Sequence, residues 1–151
     1  MSAPHGTAPP VRRKKRRRKT PEQNFQMDIK QYLDLALPFP HAWFGASAAT
    51  GTSKTTGGIL KAMGYQAGTP DMLVTYQGQT IWLELKSASG SLTKVQEQCR
   101  DDLVTSGCKW ALVRTLEDVE RALRRFGVPL RASVGTGRES EKAVLLACGA
   151  A

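Results

Sequence analysis

The sequence predicts an α/β fold whose sheet is organised by a β-hairpin with a helix and a further strand after it. Two β-branched and aromatic runs, Met72–Tyr76 and Thr80–Leu85, flank Gln77-Gly78-Gln79, the pattern of a hairpin. Apolar residues at helical spacing stand both before and after it. At 151 residues the chain is long enough to bury a core. It reads as a basic arm over 1–19, a single domain over 20–130 and an extension over 131–151 with no functional assignment.

The first helix opens at Thr20-Pro21, with Thr20 as cap and Pro21 at the first helical position; Phe25, Ile29, Tyr32, Leu33 and Ala36 recur on one face. Pro38 and Pro40 end it. His41–Ala46 suits a short strand, followed by a Gly/Ser/Thr-rich loop over 47–58 and a short helix around Ile59–Met63. The loop holds Gly51 and Ser53-Lys54-Thr55, but a phosphate-binding P-loop needs Gly directly before Lys and the right spacing between its glycines. Lys54 remains a residue that would meet a phosphate from a flexible segment, or else a solvated loop cation. Beyond the hairpin, Thr93 caps a helix over Lys94–Ser106 with Val95, Cys99 and Leu103 on one face and Gly107 as terminator. Lys109–Arg114 reads as a buried strand. Thr115 and Asp118 then start a helix carrying Leu116, Val119, Ala122, Leu123 and Phe126, closed by Gly127.

The hairpin places the chemistry. A two-residue turn at Gln77-Gly78 sets Tyr76 opposite Gln79, Leu73 opposite Trp82 and, by continuation, Asp71 opposite Glu84. Met72, Val74, Ile81, Leu83 and Leu85 then form an apolar face, and Lys86 shares the face of Glu84. Two carboxylates directly across a hairpin repel. Lys86 offers one compensating charge, and a divalent cation such as Mg²⁺, commonly held by one or two carboxylates with waters and substrate phosphates, offers more. Bound there it would polarise a scissile phosphate and lower the pKa of a water, with Lys86 steadying the nucleophile or the developing charge. The alternative is a surface salt bridge on a solvated sheet face. Gln96 likewise has two readings: the reciprocal partner of Thr93 in a capping box, or a side chain reaching the site to orient water or Lys86.

The net charge is +9, but eight of the basic residues lie in one run: Arg12, Arg13, Lys14, Lys15, Arg16, Arg17, Arg18 and Lys19. Without them 14 basic residues face 13 acidic ones, so the basic signal belongs to the arm. Such an arm binds phosphate backbones without reading sequence; in a eukaryotic chain the same run reads as a nuclear localisation signal. Cys99, Cys108 and Cys148 are odd in number and lack paired spacing, which points away from a disulfide framework or a zinc site. No stretch has the length of a transmembrane span or the pattern of a signal peptide, so a soluble, intracellular protein is expected.

The motifs Gly68-Thr69-Pro70-Asp71, Trp82-Leu83-Glu84-Leu85-Lys86, Ser91-Leu92-Thr93 with Gln96, and the strand and helix over Cys108–Leu123 together resemble a stand-alone VRR-NUC domain of the PD-(D/E)XK nuclease superfamily, as found in phage and bacterial proteins. The resemblance spans Thr20 to Leu130. It implies a restriction-endonuclease-like αβββαβ core with a central mixed sheet flanked by helices, and Mg²⁺- or Mn²⁺-dependent, structure-selective cleavage of DNA, such as Holliday junctions, by a homodimer in the cytoplasm of a bacterium or an infected host. It makes Asp71 and Glu84 metal ligands together with the Leu85 backbone carbonyl, Lys86 the catalytic lysine and Gln96 the family's helix glutamine. Glu22 matches a first-helix glutamate that joins the metal site, although on the first turn a favourable helix-dipole interaction is a sufficient explanation. The arm, Lys54 and Lys94 are the cations assigned to DNA. The competing functions are a non-catalytic branched-DNA-binding module and an RNA-associated protein, the latter disfavoured because the body shows no exposed aromatic stacking pattern.

Overall fold

A computed structural model describes residues 20–47, 58 and 60–135; the basic arm, Lys54, Cys148 and the extension beyond 135 lie outside the described residues. Helix α1 spans Pro21–Ala36, with Thr20 accepting from the Gln23 N–H while the Gln23 side chain accepts from Thr20. This reciprocal cap satisfies two of the N–H groups that a helix start leaves without partners. Strand β1 (Ala42–Ala46) follows and begins one residue later than expected. Residues 60–62 are helical, where a short helix was expected, and Ile59 lies outside the description. The hairpin is β2 (Met72–Tyr76) and β3 (Gln79–Leu85), then come α2 (Lys94–Thr105), β4 (Lys109–Val113) and α3 (Leu116–Arg125).

The four strands form one mixed sheet in the order β1-β2-β3-β4. β1, β2 and β3 are antiparallel, whereas β4 lies parallel to β3, the arrangement that α2 makes possible as the crossover. The hairpin register is the expected one, from Tyr76 opposite Gln79 to Met72 opposite Leu83. Its turn needs positive φ at both central residues, and Gln77 and Gly78 have φ 47° and 79°. The ladder ends at Met72, one residue short of Asp71.

Met72, Val74, Ile81, Leu83 and Leu85 are buried in one cluster with Ile29, Leu33 and Ala36 of α1 and Val119 and Leu123 of α3. The predicted apolar face is therefore the core, covered by these two helices. α2 lies on the opposite face and contributes no fully buried residue. Two expectations change here. Val95 is exposed, and the less exposed side of α2 carries Gln96 and Arg100 beside the expected Cys99 and Leu103; this helix docks partly through polar partners, so apolar periodicity misplaced Val95. The strand expected to be buried shows only Val113 fully buried, because β4 is an outer strand of the sheet.

Residues 131–134 are tied to the helices. The Arg131 N–H donates to the Ala36 carbonyl at 2.8 Å, Tyr32 Oη to the Ala132 carbonyl at 3.3 Å, and the Val134 N–H to Glu120 at 2.6 Å. Burial, and then the nearby Glu120 carboxylate, push the Tyr32 hydroxyl up to about 12, so it stays a donor. No helix among the described residues is long and apolar enough to cross a membrane.

Candidate active site

Strand alternation turns Glu84 away from its neighbours Leu83 and Leu85, onto the face beneath α2. Glu84 is nonetheless 2% exposed. That burial removes the reading of a surface salt bridge on a solvated face. Lys86 Nζ lies 3.0 Å from Glu84 Oε1, and Gln96 Nε2 donates to the same oxygen at 2.5 Å. Neither bond uses Oε2.

Gln96 makes the contacts of both readings at once. Its Oε1 accepts from the Thr93 N–H at 3.0 Å, closing the capping box, and from Lys86 Nζ at 3.0 Å. The cap thus fixes the rotamer that delivers the amide to Lys86 and Glu84. Gly68 allows the approach, with φ +81° and so little room that an added Cβ would lie 2.6 Å from the Val95 carbonyl oxygen. Pro70, buried, follows two residues later and leads directly into Asp71.

Asp71 ends the connection just before β2, half-buried, and its Oδ2 accepts the Leu85 N–H at 2.9 Å. Burial raises the Asp71 pKa; the Leu85 bond and Lys86 oppose this, while Glu22 adds to it. For Glu84 burial is again the largest cause of a raised pKa, opposed by Lys86 and reinforced by Asp71 and then Glu22. Two desolvated carboxylates, with the charge of Asp71 adding to the rise at Glu84, form a site short of positive charge. Glu22, on the first turn of α1, is a further acid whose charge acts on both.

A cavity of about 260 Å³ adjoins this cluster and is lined by Pro21, Glu22, Phe25, Leu85, Lys86, Ser87 and Arg114. Arg114 was assigned only a place at the end of a strand; in the structure its guanidinium donates to the Ser87 carbonyl and, at 2.7 Å, to the Gly90 carbonyl. It therefore pins the loop that leaves Lys86. The available signal was a basic residue closing the strand expected over Lys109–Arg114. Lys94 is exposed at the first position of α2, and no contact joins it to the acidic cluster.

The donor set bears on a metal. Among the described residues no three His, Cys, Asp or Glu side chains gather into a ready-made cage. Two carboxylates with an uncommitted oxygen on Glu84 suit a hard cation that keeps waters and takes further ligands from substrate phosphate, as Mg²⁺ does.

No family model matches the sequence, and no curated protein matches it. Among solved structures, a VRR_NUC domain protein shares the fold with a TM-score of 0.55 and 16% identity, over 73% of this chain and 90% of that one. The αβββαβ core with its central mixed sheet flanked by helices is thus restriction-endonuclease-like.

Proposed function

We propose that this protein is a divalent-metal-dependent nuclease that hydrolyses phosphodiester bonds in DNA. The observation that carries the reading is Glu84, a carboxylate almost wholly withdrawn from water on a sheet strand, bonded to an ammonium and an amide and electrostatically coupled to Asp71. Burying an ionisable group at such cost is characteristic of sites that perform chemistry, and the fold is shared with a protein named for a nuclease domain.

Asp71 and Glu84, with the Leu85 backbone carbonyl, would hold Mg²⁺ or Mn²⁺, while Glu22 acts on both carboxylates through its charge without gathering with them into a three-carboxylate cage. A cation bound there supplies polarisation of the phosphate and a water of lowered pKa. The chain's own contribution is positional. Lys86 offers its ammonium to charge developing on the phosphate, Gln96 keeps Lys86 beside Glu84, and the Leu85 N–H fixes the Asp71 carboxylate. Arg114 immobilises the loop that follows. The basic run Arg12–Lys19 would grip flanking phosphates, and branched duplex DNA acted on by a homodimer is the substrate arrangement to test first.

The test is a cleavage panel of four-way junction, flap, splayed arm and linear duplex, with Mg²⁺, Mn²⁺ or chelator, beside the Lys86→Ala protein. Metal-dependent cutting that Lys86→Ala abolishes is expected. Tight binding of branched DNA without cutting in either metal would instead make the protein a non-catalytic DNA-binding module.

A further inference from the structure

Trp43 is an aromatic residue for which the proposed reaction has no use. It lies on β1 with 57% of its surface exposed. In the ladder it stands opposite Thr75, and Gly45 stands opposite Leu73. Alternation then puts Trp43 on the same sheet face as Leu73, Asp71, Trp82 and Glu84. The β1 end of this path is anchored to the site itself, since the Ser47 N–H donates to the Asp71 carbonyl at 2.8 Å.

The exposed indole is also seated. It lies back over Gly45, where a Cβ would fall 2.5 Å from the ring carbon Cη2. A glycine under the ring gives it a flat bed of backbone and restricts its orientation before any ligand arrives, which lowers the entropy lost on binding. Among the described residues, Thr75, Gly45 and Leu73 floor the path from this ring toward Asp71, and all three are uncharged.

We propose that Trp43 is a stacking platform for an unpaired base of the DNA strand whose phosphate is held at Asp71 and Glu84; this rests on the nuclease reading of that site. From its backbone opposite Thr75 the indole reaches over Gly45, opposite Leu73; these positions lie four and two residues along β2 from Asp71, about 13 and about 7 Å at strand rise. That span corresponds to about two to four nucleotides of stacked strand, or fewer of an extended one. A base inside an intact duplex has both faces covered by its neighbours, so it must be splayed out to meet a side chain. The substrate class is therefore DNA with unpaired nucleotides within a few residues of the cleaved bond. Fully paired DNA would reach the carboxylates without using Trp43.

The test uses the full chain and separates binding from cleavage. In chelator, affinity is measured by fluorescence anisotropy for a labelled single strand and for the duplex of the same sequence. Trp43→Ala is expected to weaken single-strand binding by about five- to 100-fold and leave duplex binding within about twofold, with Trp43→Phe keeping most of the affinity. Gly45→Ala, which retains the indole but lifts it from its bed, is expected to fall between them. With Mg²⁺ and a splayed-arm substrate, Trp43→Ala raises KM and leaves kcat within about threefold. Unaltered single-strand affinity in Trp43→Ala, or equal losses on single strand and duplex, overturns the platform. Absence of cleavage in any metal, with the single-strand effect intact, supports the platform and overturns only the hydrolytic reading.

Discussion

Lys86 and Gln96 are joined by a 3.0 Å hydrogen bond from Nζ to Oε1, and the same glutamine closes the cap at the start of α2. A single side chain thereby connects helix initiation to the chemistry. Removing the Thr93 hydroxyl and removing the Gln96 amide both damage the cap, at about 1 kcal/mol each, but only the second removes a partner of Lys86 and Glu84. Thr93→Ala is expected to lower stability with cleavage within about threefold of the parent. Gln96→Ala is expected to lose a similar amount of stability and about 10- to 100-fold in rate, the usual cost of an outer positioning partner. Chemical denaturation paired with single-turnover cleavage distinguishes them, and equal rate losses would show the glutamine to be a cap alone.

Asp71 works against folding when no cation is present. Its pKa in the folded chain is raised, chiefly by burial; a raised carboxylate favours the folded state when protonated, and that contribution is lost as pH rises through the folded value. Asn at this position can still accept the Leu85 N–H. In chelator at neutral pH, Asp71→Asn is therefore expected to melt a few degrees higher than the parent while losing cleavage. Mg²⁺ should raise the midpoint of the parent and leave that of the variant unchanged. A variant that melts lower in chelator contradicts this.

Cleavage and metal-free stability should move in opposite directions with acidification. Glu84 is also raised, chiefly by burial and then by Asp71 against the pull of Lys86. Gripping a cation needs both carboxylates ionised, so the acid limb of the rate profile is expected above the ordinary carboxylate range. Over the same interval these two groups contribute increasing stability to the chelated chain as they take up protons. A rate profile falling only within the ordinary carboxylate range would contradict the raised values.

The arm is expected to supply salt-sensitive affinity and no chemistry. Each of the eight contiguous basic residues that neutralises a phosphate releases a counterion from the DNA and contributes about 0.9 to the magnitude of the slope of log affinity against log salt. Deleting residues 1–19 should weaken binding at low salt and flatten that slope, with the cleavage rate at saturating enzyme preserved. Anisotropy across a salt series measures it, and an unaltered slope would remove the arm from the DNA interface.

Much of this molecule was legible in its sequence because the hairpin encodes its own register. Gln77-Gly78 permits one tight turn, strand periodicity then assigns every side chain to a face, and the buried face came out as predicted from Met72 to Leu85. The helix caps at Thr20, Thr93 and Thr115 were equally plain, since a hydroxyl before a helical run has few other uses there. Asp71 was placed opposite Glu84 by extending the ladder, although the pairing stops at Met72 and Asp71 instead reaches the Leu85 N–H. What stayed hidden depends on contacts distant in sequence. The inner face of α2 begins with Gln96, which serves Glu84 and Lys86, so Val95 misled. Arg114 meets Ser87 and Gly90 only because β4 lies parallel to β3. Trp43 reads as an ordinary strand residue until the sheet order leaves it uncovered.

The most direct measurement of the central claim is single-turnover cleavage of a four-way junction in saturating Mg²⁺ by the parent protein and by Glu84→Gln, each confirmed folded by circular dichroism. Glutamine is nearly isosteric and retains a carbonyl oxygen for Lys86 and Gln96, so what it removes is the buried negative charge that holds the cation. Metal-dependent cutting by the parent and a loss of at least about 1,000-fold in the variant is the result this account predicts. Cutting by Glu84→Gln at the parent's rate would contradict it.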